Sequence, residues 1–203
     1  VGTNSGTQWL LGRAVAYLPE ELQLGAAQGS LLHGVSIESL DWQGEATQVR
    51  ARSLYVNIRL LPLFGKHVVI DELDVDRVYL MIADGDEPAD ETGGMPGIEL
   101  PVDISIASSS LRQMLIESSD VERTIDNIAL VASLRGSDFR IRQFELRSAW
   151  LDLDVSGRFT LANAFPGNIA AGWRWKESDV GPFAGQLRIT GDMREYALSH
   201  SLE

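Results

Sequence analysis

Cysteine is absent from the 203 residues, and histidine is scarce. The lack of cysteine excludes thiol nucleophiles, disulfides and thiolate-bound zinc or iron. The three histidines, His33, His67 and His200, lie far apart in the chain and do not form the H-x-x-x-H spacing of a zinc site. We therefore predict no metal, no cofactor and no histidine-based catalytic triad.

Catalytic sequence motifs are also missing. The chain lacks the glycine-rich phosphate-binding motifs, the G-x-S-x-G nucleophile elbow and the H-E-x-x-H zinc motif. Asp152 and Asp154 come nearest to a pair of carboxylates, but their spacing places both on the polar face of an amphipathic strand. We interpret them as solvated side chains, and we predict that the chain is not an enzyme.

Positive charge is in short supply. Seventeen lysines and arginines stand against 29 acidic residues, which gives a formal net charge of −12. This excess of acidic residues argues against nucleic acid as a partner. It also argues against binding of anionic lipid headgroups through a polybasic segment. No apolar run approaches the ~18 residues that a membrane-spanning helix needs. The sequence begins at Val1 without a methionine, so we expect a fragment of a longer protein.

Negative charge is concentrated between Asp71 and Glu99, where ten acids accompany one base. The second half of this stretch, residues 84–97, has four glycines and no periodic apolar pattern, which predicts a long acidic flexible loop. A calcium loop is the alternative, although the acid spacing of an EF-hand is not met. Because its acids repel one another and lack an apolar anchor, we expect this loop to be dispensable for folding.

One segment, residues 5–18, has the spacing of an amphipathic helix. Ser5 is a possible N-cap with Gln8 three residues later, and Pro19 ends the run. Such a helix either caps the end of a sheet or lies on a membrane surface. We favour the packed cap, since Arg13 is the only basic residue of the segment.

Most of the remaining chain alternates apolar and polar residues with a period of two. The segments 54–60, 139–142, 151–156 and 187–190 all follow this pattern, and glycine-containing turns separate them. Strands of this type bury one face and leave the other in water. The sequence therefore predicts a mostly β protein whose neighbouring strands are antiparallel.

Several strands also contain a step of three between apolar residues. The pattern I-x-x-φ-x-φ, where φ is apolar, begins at Ile37, Ile70, Ile125 and Ile141, with a weaker copy at Ala51. A step of three inside a period-two strand would move the later side chains to the opposite face. We therefore predict a bulge or bend at each site that keeps the apolar residues on one concave side.

Residues 61–80 resemble the recurrent unit of the AsmA-like family, in which a Leu/Pro-rich turn precedes an I-x-x-L-x-L strand. The order of elements, with a short helix, residues 22–31, residues 33–42 and this unit, most resembles the N-terminal region of TamB proteins, subunits of the translocation and assembly module. The resemblance covers roughly residues 5 to 160. A short turn is expected at residues 61–64, because Pro62 lacks the N–H that a strand ladder needs.

This resemblance implies an elongated, curved antiparallel β-groove, often called a β-taco, with one short N-terminal helix. Residues 1–203 would form a single segment of a longer periplasmic protein, anchored in the inner membrane by a helix that precedes Val1. The resemblance also implies transport of phospholipid from the inner to the outer membrane. The outer-membrane barrel partner, similar to TamA, would be bound by regions outside this chain.

An amphipathic sheet must hide its apolar face against something, and three arrangements remain open. The first is a lipid conduit whose apolar groove holds acyl chains. The second is a scaffold that presents sheet edges to outer-membrane β-barrel proteins. The third is a closed sandwich or barrel whose apolar face is simply a core.

For the conduit, we predict that the aliphatic side chains of four strands line the groove. These residues are Leu54, Val56, Ile58, Leu60, Leu73, Val75, Ile128, Leu130, Leu151, Leu153 and Val155.

Overall fold

The computed structural model describes residues 21–30, 32–44, 46–83, 102–118, 121–161, 165–177, 181–192 and 195–202. The helix predicted for residues 5–18 and the loop predicted for residues 84–97 lie outside this part of the chain, and both stay predictions. Within the described ranges, no helix has the length and apolar character needed to cross a membrane.

The described residues form fourteen β-strands and one short 3-10 helix, which confirms the mostly β prediction. In chain order the strands are β1 (Leu22–Leu24), β2 (Ala27–Ser30), β3 (Gly34–Gln43), β4 (Thr47–Arg59), β5 (His67–Ile82), β6 (Asp103–Ile106), β7 (Ser109–Ser118), β8 (Val121–Ile125), β9 (Asn127–Arg135), β10 (Asp138–Arg147), β11 (Leu151–Thr160), β12 (Gly167–Trp175), β13 (Phe183–Gly191) and β14 (Tyr196–Leu202). The 3-10 helix (Leu61–Gly65) joins β4 to β5.

All fourteen strands belong to one sheet, whose main order is β1-β3-β4-β5-β6-β9-β10-β11-β12-β13-β14. β2 also pairs with β3, and β7 continues the line of β6 beside β5 and β9. The extensive contacts between elements join strands that are neighbours in the sheet. The 3-10 helix contacts β5. The part of the chain that the structure describes therefore forms one continuous sheet, in which each strand is hydrogen-bonded to its neighbours.

The prediction of antiparallel neighbours is wrong at one place, because β5 runs parallel to both β6 and β7. β5 ends at Ile82, whereas β6 starts beside His67, at the opposite end of β5. A parallel pair needs a connection long enough to return along the strand. The chain between Ile82 and Asp103 provides that length.

The parallel register of β5 and β6 also sets a minimum length for the segment that connects these two strands. β5 has 16 residues, so its ends are roughly 50 Å apart at about 3.3 Å per residue. The 20 residues between Ile82 and Asp103 must cover this distance. Their number therefore limits how far the connection can be shortened, and the expectation that the loop is dispensable stays a prediction for deletions that leave enough residues to span β5.

The turn predicted at residues 61–64 is confirmed. β4 ends at Arg59, and Pro62 lies in the first turn of the 3-10 helix, where its missing N–H costs nothing. Lys66 closes the turn in a left-handed conformation with φ of 57°. Its N–H donates a hydrogen bond of 3.0 Å to the carbonyl oxygen of Leu63.

The steps of three coincide with irregularities in the ladder, which confirms the predicted bulges. Two of these irregularities lie at the steps that begin at Ile70 and Ile141. The β4–β5 register shifts beside Ile70 and leaves Asp71 without a partner across the ladder. The β10 register shifts directly after Ile141 toward both neighbouring strands. Each bulge restores the later apolar side chains to the original face.

The other irregularities lie in β3, in β4 and at the junction of β8 and β9. Ser53, between Ala51 and Leu54, has a left-handed φ of 54°. The β3–β4 ladder skips Ser53 and Glu38. Asp126 interrupts the strand between β8 and β9. The backbone thus absorbs each step of three at a single residue.

The left-handed backbone conformation of Ser53 should lower the stability of the protein, and substitutions at this position test that expectation. We expect Ser53→Gly to stabilise the protein by about 0.5–1 kcal/mol, because glycine adopts a positive φ without a Cβ clash. Ser53→Val should destabilise it by about 1–2 kcal/mol, since a β-branched side chain tolerates this conformation poorly. Urea unfolding of the two variants measures both changes, and equal effects of glycine and valine would contradict the assigned conformation.

Candidate apolar binding face

Apolar residues of neighbouring strands are in direct register and form rows along one side of the sheet, three of which cross nine or ten of the described strands. We call this side the apolar face. The first row crosses ten strands through Ile37, Leu54, Val75, Leu111, Ile128, Leu146, Leu153, Trp173, Gly185 and Leu202.

The second row has two registered stretches. They are Val35, Val56, Leu73 and Ser109 on β3 to β7, and Leu130, Phe144, Val155, Ala171, Leu187 and His200 on β9 to β14. A hydrogen bond of 3.0 Å from the Ser109 hydroxyl to the carbonyl oxygen of Leu130 joins the two stretches. The third row runs through Ile58, Ile70, Ile106, Ala132, Ile141, Gly157, Ile169, Ile189 and Leu198.

The dimensions of this band follow from strand geometry. Ten strands about 4.8 Å apart make the first row roughly 43 Å long. Rows on the same face lie about 7 Å apart, so three rows give an apolar band roughly 14 Å wide between its outer rows. The band runs along the long direction of the sheet, across the strands.

Most side chains of the band are only half-buried. Leu54, Val75, Leu153 and Val155 are typical of this intermediate exposure. Among the described residues, the hydrophobic side chains classed as buried are Val35, Ala51, Ile125, Ala132 and Leu134. The described chain thus leaves much apolar surface in contact with water, which favours association with another apolar body.

The structure brings most of the residues predicted to line a groove onto this band. Leu54, Val75, Ile128 and Leu153 lie in the first row, Val56, Leu73, Leu130 and Val155 in the second, and Ile58 in the third. Leu151 lies two residues from Leu153 and pairs with Trp175. Leu60 lies beyond the end of β4 and is half-buried at the start of the 3-10 turn.

The prediction missed several members of the same rows, among them Leu111, Leu146, Trp173 and Leu187. Each has the alternation of its own strand, so the sequence signal was present. What the sequence does not give is the register that places Leu111 opposite Val75 or Trp173 opposite Leu153.

Aromatic rings gather near one end of β11, β12 and β13. The rings of Trp150 and Trp175 meet edge to face at 5.4 Å, and Trp175 stacks against Phe183 at 6.5 Å. The Arg123 guanidinium lies 5.5 Å from the centre of a Trp150 ring. Such contacts add about 0.5–1.5 kcal/mol each beyond area burial, so they stiffen this end of the sheet.

An apolar cavity of about 520 Å³ lies near the opposite end of the same strands. Its lining includes Phe159, Ile169, Ile189, Tyr196 and Leu198. Ile169, Ile189 and Leu198 belong to the third row, so the cavity opens on the apolar face. It is large enough to take part of an alkyl chain.

The opposite, polar face carries the charged side chains. Acids of β5 find partners on the neighbouring strands: Arg59 donates to Asp71 at 2.6 Å, Ser110 to Asp74 at 2.6 Å and Arg112 to Asp76 at 2.9 Å. A hydrogen bond from Tyr79 to Glu117 raises the pKa of the Tyr79 phenol. Pairs as exposed as these contribute little to stability.

Asp152 and Asp154 lie on the polar face as predicted, but they are not simply solvated. Lys176 lies 2.6 Å from Asp152, and Arg147 lies 2.6 Å from Asp154. The hydrogen bond to Asp154 raises the pKa of Arg147. Both carboxylates are thus held by cations. Within the described ranges, no group of three or more His, Asp or Glu side chains could hold a metal ion.

Comparison with known proteins gives one family. The sequence profile of the family described as "TamB, N-terminal domain" matches residues 1–94 and residues 92–203. No curated protein and no solved structure matches the chain.

Proposed function

Because the chain belongs to the family of TamB N-terminal domains, we propose that its apolar face holds the acyl chains of phospholipids. The protein would act as one segment of a periplasmic conduit from the inner to the outer membrane. In the full-length protein, an inner-membrane anchor and a TamA-like outer-membrane barrel would define its two ends.

One observation carries this proposal. The first apolar row is continuous across ten strands, and side chains such as Leu54, Val75 and Leu153 stay only half-buried. Acyl chains have no hydrogen-bonding groups, so half-buried aliphatic side chains suit them without a specific polar partner. A path of roughly 43 Å along the sheet would let lipid move from strand to strand.

Native mass spectrometry of the purified protein tests the proposal. We expect mass additions that match phospholipids and that disappear after extraction with organic solvent and refolding. Re-addition of phospholipid should restore them, whereas a water-soluble phosphodiester without acyl chains should leave the apolar face empty. Protein that never carries lipid under gentle ionisation would contradict a lipid-holding face.

A second function, a scaffold for outer-membrane β-barrel proteins, is favoured by β14. Every residue of this strand is exposed, and among the described strands β14 pairs only with β13. An open edge can accept a further strand by β-augmentation.

Hydrogen exchange distinguishes this second function. A peptide copied from an outer-membrane β-strand should slow amide exchange in residues 196–202 if the edge is used. Unchanged exchange there, together with bound phospholipid, would leave the conduit as the function of this chain.

A further inference from the structure

Charge is distributed unevenly between the two parts of the chain. Residues 1–120 hold seven bases and eighteen acids, whereas residues 121–203 hold ten bases and eleven acids. The second part is therefore almost neutral in a protein whose net charge is −12. Its arginines are concentrated on the polar face of β10, β11 and β13.

Four of these arginines, Arg140, Arg142, Arg158 and Arg188, form what we call the arginine cluster. Arg140 on β10 lies directly opposite Arg158 on β11. Arg188 lies in the same cross-strand row as Ser156 of β11, two strands away. All four side chains are exposed.

No carboxylate of the described ranges forms an ion pair with an arginine of this cluster. The ion pairs of that part of the chain involve other cations, such as Arg112 with Asp76, Arg147 with Asp154 and Lys176 with Asp152. Two like charges directly opposite each other in a ladder are unfavourable. The fold therefore keeps a repulsive pair, Arg140 and Arg158, that it does not need for its own stability.

Two cavities on the polar face lie at this cluster. One, of about 510 Å³, is lined by Arg140, Arg142 and Arg158 together with Ser156 and Asn168. The other, of about 580 Å³, shares Arg142 and Ser156 and reaches Arg188. The lining of the first cavity thus combines guanidinium groups with a hydroxyl and an amide, all of which donate hydrogen bonds. The second cavity also contains the carboxylates of Glu145 and Asp154, which lie beside Arg147.

We propose that the arginine cluster binds a phosphate group on the polar face, opposite the apolar band. A guanidinium presents a planar pair of N–H donors that matches two oxygens of a phosphate. A phosphate has enough oxygens to accept from several arginines at once, whereas a single carboxylate has two. Bound phosphate would also offset the repulsion between Arg140 and Arg158.

This site does not depend on the proposed lipid-holding role, because the two faces of a sheet are separate surfaces. The phosphate itself has two possible sources, a free phosphate ion or the headgroup of a phospholipid. Both present the same oxyanion to the cluster, so the test uses both as probes.

Isothermal titration tests the proposal with inorganic phosphate and, separately, with dihexanoyl phosphatidylglycerol below its micelle concentration. We expect saturable binding of both probes that weakens as salt is added. The double variant Arg140→Gln/Arg158→Gln should bind each probe at least tenfold more weakly. Arg112→Gln is the matched control, because it removes an exposed arginine that already forms an ion pair with Asp76. The Arg112→Gln protein should bind both probes as the unaltered protein does.

A melting experiment separates lost binding from lost folding. Removal of the repulsive pair should raise the melting temperature of the double variant by about 1–3 °C. Phosphate should then stabilise the unaltered protein more than the variant. An unfolded variant would be replaced by Arg158→Lys, which keeps the charge but loses the bidentate geometry and should also weaken binding.

Three results would overturn the proposal. The first is a lack of saturable binding of inorganic phosphate, even if the lipid binds. The second is equal weakening in the double variant and in Arg112→Gln. The third is tighter binding of a peptide with the sequence of residues 84–91, which would assign the cluster to a carboxylate-rich partner.

Discussion

Val56→Glu should abolish phospholipid binding while the protein remains folded. Val56 lies in the second apolar row, between Val35 of β3 and Leu73 of β5, and its side chain is half-buried. On an open face, an added carboxylate can still reach water when lipid is absent. The expected cost in unfolding free energy is therefore about 1–2 kcal/mol, whereas the same charge in a closed core would cost more than about 4 kcal/mol.

Leu130→Arg, in the other stretch of the same row, should behave in the same way. Asn57→Lys is the control, because it places a charge on the neighbouring residue of β4, whose side chain points to the opposite face and lies across the ladder from Glu72. Bound lipid and thermal unfolding are measured on all three variants. Unfolding of Val56→Glu would mean that the apolar face is a closed core, and folded variants with undiminished lipid would mean that these residues do not line the site.

Deletion of residues 86–97 should destabilise the protein by about 3–5 kcal/mol. Eight residues would remain between Ile82 and Asp103, and nine peptide steps extend to roughly 32 Å. The ends of β5 are roughly 50 Å apart, so β6 could no longer lie beside His67. The loss includes the hydrogen bonds of β6 and the burial of Ile104 and Ile106.

A glycine–serine replacement of equal length is the control for this deletion. It removes every acid of residues 86–97 but keeps the number of residues, so its melting temperature should stay within about 2 °C of the unaltered protein. Calorimetry measures the melting temperatures of the deletion variant and of the replacement variant. A stable deletion variant would contradict the parallel pairing of β5 with β6, and an unstable replacement would mean that the acidic composition itself is needed.

The elements themselves could be predicted from sequence because their signals are local. Alternation along residues 54–60 and 151–156 reflects a strand with one wet face, and it predicted β4 and β11. The steps of three at Ile70 and Ile141 predicted ladder shifts, since only a bulge returns the next apolar side chain to the same face. Pro62 predicted the end of β4 by its missing donor.

The pairing of strands could not be predicted in the same way. The aliphatic side chains of these strands differ little in shape and offer no unique partner, so Leu54 gives no indication that Val75 lies opposite it. The parallel β5–β6 pair depends on a long connection, whose path leaves no local pattern. The arginine cluster was missed for the same reason, because Arg140 and Arg158 are 18 residues apart and meet only through the β10–β11 register.

The most direct test of the central claim is photo-crosslinking from adjacent positions of β4, away from the arginine cluster. Val56 lies on the apolar face and Asn57 on the polar face, so a benzophenone side chain at each position samples the two sides of one strand. After illumination in cells, phospholipid should be covalently attached to the protein that carries the probe at position 56. No attachment should occur from position 57. Equal attachment from both positions, or none from position 56, would contradict the account that the apolar face holds phospholipid.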